Sequence, residues 1–322
     1  MLDISKYKEV FPPAVAHGYP ENLYNDIIAN RRKLDNKLFF DRLVDTLGVK
    51  VGHHYPPRTP SDLTSLHKTI THAPIPDPQK QCLLFYLLKD LSPSTHTEHE
   101  LAAAFATKTL MPQKLWTFME GLHALDRQQF MTAVEFLSHP SLLPTFTEEV
   151  LECLLKHARG GEDEKLALAY FHAVRPPLER KEVRDTFVDY LAERSVVEAF
   201  YFVRGRPEDE RRGLLEIVVA SALGAFAGAR KAARGAEIVD LPLEEEEEGW
   251  VEEYLVEGKG RNLHGARDTV MARRIATGRY REALHDGGVK GRRYDGVTWD
   301  VVKDGLARGL GDRGHEKPFV VV

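Results

Sequence analysis

Cysteine is scarce in this sequence, which contains Cys82 and Cys153 and no others among its 322 residues. Both lie in apolar runs with helical spacing, so a framework of disulfide bonds is excluded as the basis of the fold. Thiols in apolar surroundings are unreactive, and neither cysteine is therefore a candidate nucleophile. The scarcity predicts a reducing compartment, either the cytosol or the nucleus.

A long apolar run is missing too. The most apolar stretch, residues 213–229, contains Glu216 and is interrupted by glycine. It is shorter than the roughly 20 apolar residues that a helix needs to cross a bilayer. The first ten residues, MLDISKYKEV, lack the apolar core of a signal peptide. With 43% hydrophobic residues and a mean hydropathy of −0.36, the composition predicts a soluble globular protein.

An excess of positive charge is also absent. The formal net charge is −5, and the isoelectric point is about 6.3. A protein that binds nucleic acid over a broad surface needs lysine and arginine in excess to neutralise phosphates. The composition therefore argues against nucleic acid as the main partner.

The clearest pattern that is present is a pair of amphipathic helices within residues 113–146. The apolar positions with helical spacing are Leu115, Phe118, Met119, Leu122 and Leu125 in the first half and Phe130, Ala133, Val134 and Leu137 in the second. Asp126 lies between the two stripes and suits the N-cap of the second helix. Pro140 ends that helix, because a residue before proline is disfavoured in helical geometry. The stretch predicts a helical hairpin.

Further apolar stripes predict more helices of the same kind. FMTAVEFL, LALAYFHAV and VVEAFYFV each place an alanine beside aromatic residues, at Ala133, Ala169 and Ala199. A spacing of about 30 to 36 residues is typical of stacked helix pairs, in which small residues allow close packing. The buried stripe expected in the second of these helices is Leu166, Ala169, Tyr170 and Ala173. The predicted fold is all-α, an irregular α-solenoid-like stack of helical hairpins.

Composition divides the chain into five segments. They are an N-terminal helical segment at 1–57, an α-helical body at 58–232, an acidic linker at 233–249, a C-terminal helical section at 250–286 and a tail at 287–322. The linker is predicted because the glutamates from Glu244 to Glu248 repel one another and stay solvated. The tail contains glycine and arginine, and we expect one further helix at 297–310 and mobility in the rest.

Histidine pairs are the candidates for a metal site. His96 and His99 lie in HTEHE, and His53 and His54 lie in a predicted loop. A zinc-binding helix places two histidines four residues apart with a third ligand nearby, whereas His96 and His99 are three apart across a helix start. The favoured interpretation is a solvated capping segment, and no metal is predicted.

Catalytic constellations are not found either. No plausible Ser/His/Asp or Cys/His set occurs, and the glycines of GKGRNLHG (258–265) lack the GxxxxGK[ST] pattern of a phosphate loop. The sequence therefore predicts a protein that is not an enzyme, with no catalytic residue and no cofactor. A hydrolase or metal enzyme on a helical fold is the competing hypothesis, and a stoichiometric metal in the pure protein would favour it.

One short motif and two basic segments raise the question of nucleic acid. RGRP (204–207) matches the core of an AT-hook, which inserts arginine into the minor groove. Its flanks are apolar AFYFV and acidic EDE, whereas a hook needs basic flanks, so a turn between helices is favoured. KGRRY (290–294) and ARDTVMARR (266–274) are interpreted as solvated faces. A nucleic-acid or chromatin adaptor that uses RGRP and the basic tail is the alternative function.

Aromatic residues near the predicted linker are the candidates for partner binding. Trp250, Tyr254 and Trp299 lie on short predicted helices, and Leu255 follows Tyr254. Tryptophan and tyrosine dominate the binding energy of many interfaces. These four residues are the predicted partner-binding site, and local packing onto the body is the competing interpretation.

The sequence also resembles a known family. WTFMEGLHALDRQQFMTAVEFLSHPSLLPTF is similar to the signature region of fungal ELYS-type nuclear pore complex assembly proteins. Other segments that carry the resemblance are LFFDRLVDTLG, YPPRTPSDLTSLH, PDPQKQCLLFYLLKD, LALAYFHAVRPPL, SVVEAFYFVRGRP, WVEEYLVEGKG and ARDTVMARRIATGRYREAL. Together they cover most of the chain.

The resemblance implies a structural nucleoporin that attaches to the Y-shaped outer-ring scaffold of the nuclear pore complex. It implies partners among the Y-complex nucleoporins, including propeller-bearing arm subunits, and a location at the nuclear envelope. It further implies roles in pore assembly, mRNA export and protein transport. Animal relatives add a β-propeller and a tail with AT-hooks, and neither is expected here because RGRP lacks basic flanks.

Overall fold

The computed structural model describes residues 2–92, 101–224, 228–279, 282–283 and 299–308. All regular secondary structure in these residues is helical, which confirms the all-α class. The solenoid-like stacking stays a prediction. The chain divides into two compact units, Met1–Pro177 and Leu178–Val322. Within the described residues, no helix combines the length and apolar character that a membrane crossing requires.

The first unit is built from helices of four to fifteen residues. They are α1 (Tyr7–Val10), α2 (Glu21–Lys33), α3 (Phe39–Thr46), α4 (Pro60–His72), α5 (Asp77–Leu91), α6 (Leu101–Thr109), α7 (Gln113–Asp126), α8 (Phe130–Leu137), α9 (Thr147–His157) and α10 (Leu166–Val174), with 3-10 turns at Gly52–His54 and Gly161–Lys165. Helix α5 packs against α4, α6 and α7. Its residues from Cys82 to Leu88 are all buried, so α5 forms the centre of this core.

The start of α4 follows from its local sequence. The backbone amide of Asp62 donates to the Thr59 hydroxyl at 3.1 Å, and the backbone amide of Thr59 donates to the Asp62 carboxylate at 3.0 Å. This reciprocal pair satisfies two amides that the first turn of a helix leaves free. Pro60 occupies the first helical position, where a missing amide hydrogen is tolerated.

Helices α7 and α8 form the predicted hairpin and approach each other closely. A Cβ atom built on Gly121 would lie 2.5 Å from Cγ of Leu137, so only glycine fits at this crossing. The prediction for Asp126 was wrong. Asp126 is the last residue of α7, and Gln129 occupies the N-cap of α8 without a side-chain hydrogen bond.

Helix α10 is rotated relative to its predicted orientation. It packs against α8 and α9 and buries Leu166, Ala167 and Tyr170 on that side. Ala169 and Ala173, which were predicted to be buried, are exposed. Leu166 and Tyr170 are buried as predicted, and the neighbouring helices cover the side that carries Ala167 rather than the side that carries Ala169 and Ala173.

The second unit begins at Leu178, a residue in the left-handed region with a φ of 57°, directly after Pro176 and Pro177. Its helices are α11 (Lys181–Arg194), α12 (Val196–Arg204), α13 (Glu208–Gly224), α14 (Gly228–Val239), α15 (Glu245–Val256), α16 (Ala266–Ala276) and α17 (Trp299–Ala307), with a 3-10 turn at Lys259–Asn262. The division between the units therefore falls inside the body predicted at 58–232. Two consecutive prolines interrupt the helical hydrogen bonding there.

The segment predicted as an acidic linker differs from the structure. Residues 233–239 belong to α14 and residues 245–249 belong to α15. Only the turn at Asp240 and the four residues 241–244 connect the two helices. Glu247 is buried rather than solvated. The boundary predicted at residue 250 lies within α15. The helix predicted at 297–310 is found at Trp299–Ala307, and the rest of the predicted tail lies outside the described residues.

Candidate partner-binding surfaces

Helix α15 carries three of the four residues predicted to bind a partner, and its first turn is acidic. The backbone amide of Glu244, at the N-cap, donates to the Glu247 carboxylate at 2.8 Å. Carboxylates in a first turn interact favourably with the positive end of the helix dipole. The glutamate run therefore starts a helix.

Arg204, the first arginine of RGRP, holds this acidic turn from α12. Its Nε donates to Oε1 of Glu247 at 3.0 Å, and its Nη2 donates to Oε2 at 2.7 Å. The same Nη2 donates to the carbonyl of Pro242 at 2.9 Å, and the guanidinium lies 4.6 Å from the ring centroid of Phe200. Burial acts to raise the pKa of Glu247, but the hydrogen bonds from Arg204 and from the Glu244 amide outweigh it and lower the pKa.

Arg273 on α16 is the second anchor of the acidic turn. Its side chain is among the largest that are fully buried. It donates to the carbonyls of Ile238, Val239 and Leu241, which end α14 and continue the chain towards α15, and to Glu248. A buried arginine requires this many acceptors, because an unpaired buried charge is strongly destabilising. Arg273 thus ties together α14, α15 and α16.

Two further arginines extend this cluster. Arg274 pairs with Glu252, and Arg279 pairs with Glu252 at 3.0 Å and with Glu248 at 3.2 Å. Burial acts to raise the pKa of Glu252, and the bonds from Arg274 and Arg279 lower it overall. The ARDTVMARR segment was expected to be a solvated face. The structure corrects that expectation for its two final arginines, which are buried.

The predicted partner-binding residues have different environments. Trp250 and Tyr254 are half-buried on α15. The Tyr254 ring packs over Gly260, where an added Cβ would collide with it, so the ring contributes to local packing. Leu255 is only 1% exposed and belongs to the core, so its inclusion in a contact surface is not supported. The Trp299 side chain lies outside the described residues.

The arginines of RGRP are both bound to carboxylates. Arg206 donates to Glu210 at 3.0 Å, and Arg184 from α11 also reaches Glu210, at 2.5 Å. With Arg204 held by Glu247, neither RGRP side chain is directed at solvent phosphates. KGRRY (290–294) lies outside the described residues.

The histidines and cysteines considered as metal ligands or nucleophiles do not form a site among the described residues. His96 and His99 lie outside the described residues, as does the side chain of His53. Among the residues that are described, no group of three or more histidine, cysteine, aspartate or glutamate side chains is arranged to hold a metal. Burial raises the pKa of the Cys82 and Cys153 thiols to about 12, which keeps both protonated near neutral pH.

Sequence reasoning missed a buried polar cluster around Asp90. Its carboxylate accepts hydrogen bonds from the Tyr55 hydroxyl at 2.8 Å, the Tyr19 hydroxyl at 3.0 Å and Nε2 of His123 at 3.1 Å, and Arg127 lies 3.5 Å away. An aspartate inside the apolar run CLLFYLLKDL was the available signal. Because the carboxylate is buried and fully surrounded by donors, its geometry fits a structural role that joins two loops to α5 and α7.

Two concave surfaces in the first unit were also missed. A cleft of about 400 Å³ has Trp116 and Phe136 in its walls and an ion pair of 2.9 Å between Lys89 and Glu120. A narrower groove of about 150 Å³ lies between α10 and the loop at 138–145. The signal for the second was HPSLLP, which places two leucines between prolines in a loop.

Comparison with known proteins identifies a family and a relative of this chain. A family model described as "ELYS: Nuclear pore complex assembly" matches residues 37–258. The chain is 27% identical over 189 residues to "Uncharacterized protein ely5" of Schizosaccharomyces pombe. That alignment covers 58% of this chain and 59% of the relative, so the chain spans about three-fifths of the length of the protein it matches.

Proposed function

Because this chain belongs to the ELYS family of nuclear pore complex assembly proteins, we propose that it is a structural, non-enzymatic component of the nuclear pore. The observation that carries the proposal is the family match over residues 37–258, which spans helices of both compact units. The proposed location is the nuclear pore at the nuclear envelope.

A finer proposal concerns its position in the pore. We infer attachment to the Y-shaped outer-ring scaffold, with Y-complex nucleoporins as partners, including the propeller-bearing arm subunits. The irregular solenoid-like stack predicted from the sequence suits such a role, since extended helical surfaces engage several neighbours. Support of mRNA export and protein transport follows from a position in the pore.

The buried ionisable groups favour a scaffold over a catalyst. Asp90, Asp126 and Arg273 each engage several protein partners inside the fold. Active sites instead direct perturbed groups into an accessible pocket. Here the polar networks join helices to one another, as expected for a protein that must keep its shape while neighbours bind it.

Helix α15 is the proposed contact with an outer-ring partner. Trp250 and Tyr254 are partly accessible there, and a rigid helix fixed by Arg204 and Arg273 presents them with little loss of entropy on binding. Trp299 is included in the proposed contact from sequence. Leu255 is buried on the opposite side of the contact and anchors α15 in the core.

The test is purification of the tagged full chain from its own cells, followed by identification of the proteins that accompany it. Outer-ring nucleoporins should co-purify, and fluorescence of the tagged chain should mark the nuclear rim. Trp250→Ala should reduce co-purification, whereas Val256→Ala, on the exposed side of the same helix, should not. Purification without any outer-ring nucleoporin would overturn the proposal.

The alternative, a nucleic-acid or chromatin adaptor, is less well supported because Arg204 and Arg206 are paired with Glu247 and Glu210. Titration of an A·T-rich duplex at low and at physiological salt separates the two functions. Binding that persists at physiological salt would favour the adaptor.

A further inference from the structure

The groove between α10 and the loop at 138–145 is lined by both apolar and polar side chains. Its lining includes Phe118 from α7, Leu142 and Leu143 from the loop, and Tyr170 and Ala173 from α10. Leu143 is 72% exposed, which is unusual for a leucine that also borders a concavity. A volume of about 150 Å³ accommodates a group of the size of a benzene ring. One large apolar side chain therefore fits this groove, which we name the Leu143 groove.

Two hydroxyl groups in the lining have no partner within the described part of the chain. The Ser138 hydroxyl is buried and makes no hydrogen bond. The Tyr170 hydroxyl makes none either, although the ring is buried, and burial together with the charge of Glu149 raises its pKa. Buried polar atoms are normally satisfied, so an incoming acceptor would complete the hydrogen bonding of the Ser138 hydroxyl.

The exposed charged side chains next to the groove on α7 and at the end of α10 are basic, and one exposed carboxylate, Glu135 on α8, lies one turn before Ser138 of the lining. Lys114 lies one turn before Phe118 on α7, and Arg175 follows Val174 at the end of α10. Neither forms an ion pair with any residue that the structure describes. His139 and His172 are exposed at the same edge, whereas Glu148 of α9 is buried and Glu149 half-buried. The basic groups thus outnumber the exposed carboxylate of Glu135, and the accessible charge next to the groove complements an acidic segment.

We propose that the Leu143 groove is a docking site for an acidic segment of a partner protein. A leucine, phenylalanine or methionine of that segment fills the cavity, and neighbouring aspartates or glutamates face Lys114 and Arg175. A carbonyl or carboxylate of the segment accepts from Ser138 and Tyr170. Ala173, which is exposed on α10 and lines the groove, allows the partner backbone to approach closely.

The inference deepens the proposed role in assembly by naming a partner chemistry, but its test does not depend on the pore. A display library of random twelve-residue peptides is selected in parallel on the full chain, on Ala173→Phe and on Ala169→Phe. Both alanines are exposed on α10, and only Ala173 lines the groove. Equal circular dichroism and equal melting temperatures of the two variants establish that both fold.

The expected result is a class of peptides enriched on the natural chain and on Ala169→Phe but not on Ala173→Phe. Each should carry a large apolar residue and at least two carboxylates. A synthetic member of the class should bind Lys114→Gln and Arg175→Gln about 2- to 5-fold more weakly per substitution, with a larger effect at low salt. Ser138→Ala should weaken binding while leaving the melting temperature unchanged or raised, which a purely structural serine would not do.

Peptides that bind Ala173→Phe as well as the natural chain would overturn the proposal, and so would an enriched class that is basic or uncharged. Failure of the assembly function is distinguishable, because a chain absent from the nuclear rim could still select acidic, apolar peptides through this groove. Conversely, if the chain is found at the nuclear rim but selects no such peptides, the proposed assembly function stands and the proposed docking site is wrong.

Discussion

The carboxylate of Asp126 accepts a hydrogen bond of 2.7 Å from the backbone amide of Phe39, which lies 87 residues earlier in the chain. The amide of Phe40 donates to the same side chain at 3.0 Å and the Tyr86 hydroxyl at 2.6 Å. Asp126 therefore caps α3 from the end of α7. It satisfies amides that the first turn of α3 cannot satisfy internally, and it fixes α3 against the centre of the first unit.

Substitution of Asp126 should destabilise the chain. Asp126→Asn keeps the shape but loses one of two acceptor oxygens, which leaves an amide of α3 or the Tyr86 hydroxyl unsatisfied in the core. We expect a loss of about 2–4 kcal/mol in the free energy of unfolding, measured with urea. Asp45→Asn, at an exposed ion pair with Lys37, is the control and should change it by less than about 1 kcal/mol. Equal losses in the two variants would contradict the capping role.

The same carboxyl group should make stability depend on pH. Burial raises the pKa of Asp126 from 3.8 to about 7, against the hydrogen bonds from Tyr86, Phe39 and Phe40, which lower it. The folded state then binds more protons than the unfolded state between these values, so its ionisation opposes folding as pH rises through that window. The contribution of protonated Asp126 to the free energy of unfolding is therefore most favourable below about pH 4 and is lost by about pH 7.

Comparison with Asp126→Asn isolates this contribution. The difference in unfolding free energy between the natural chain and Asp126→Asn should narrow as pH rises from about 4 to about 7, by at most about 1.4 kcal/mol per pH unit. Denaturation in urea at several pH values measures it. Parallel curves across that window would show that the pKa of Asp126 is not raised.

The Asp126 contact shows which parts of this molecule the sequence could predict. The start of α4 depends on Thr59, Pro60 and Asp62, which are neighbours, so the sequence alone contains the signal for it. The role of Asp126 depends on amides far away in the chain, and sequence reasoning assigned the residue to the nearest helix instead. Local signals predict local hydrogen bonds, whereas a side chain that caps a distant helix leaves no local pattern.

The acidic segment illustrates the same limit at the candidate site. A run of glutamates is typical of a solvated linker when it is considered alone. Its partners Arg204 and Arg273 are 43 residues before Glu247 and 25 residues after Glu248. Once they are in place, the run becomes the first turn of α15. Trp250 and Tyr254 were correctly placed on a helix, but the burial of Leu255 depends on α13 and α16, which sequence could not position.

Arg273 should be essential to the second unit. Arg273→Met keeps much of the apolar stem but removes the donors to three backbone carbonyls and leaves Glu248 with Arg279 alone. We expect a loss of about 3–5 kcal/mol in the free energy of unfolding, since three carbonyls lose their donors and Glu248 loses its buried partner Arg273. Arg267→Met, at an exposed position of the same helix, is the matched control and should cost less than about 0.5 kcal/mol. Similar melting temperatures for the two variants would contradict the anchoring role.

A truncation before Glu244 should therefore destabilise helices that remain in the shortened chain. It removes α15 and α16, which leaves Arg204 without Glu247 and leaves the carbonyls of Ile238, Val239 and Leu241 without the donors of Arg273. Hydrogen exchange should show loss of protection in α12, which carries Arg204, and in α14, which ends at those carbonyls. Retention of full protection in both helices would show that the removed segment is dispensable for them, as a linker would be.

Gly121 and Gly213 offer a matched pair of glycine-to-alanine substitutions within helices. Alanine is favoured over glycine by about 1 kcal/mol in a helix, so an open position should be stabilised by up to that amount. Gly213 on α13 has nothing within 4 Å of an added Cβ, and Gly213→Ala should raise the melting temperature. On α7, a Cβ atom added to Gly121 would lie 2.5 Å from Cγ of Leu137. Overpacking of this kind typically costs about 1–3 kcal/mol, so Gly121→Ala should lower the melting temperature.

The double variant Gly121→Ala, Leu137→Ala should recover part of the loss relative to the sum of its single substitutions, because the smaller side chain makes room for the new methyl group. If the losses instead add, the two residues do not meet, and the hairpin of α7 and α8 is packed differently from the structure.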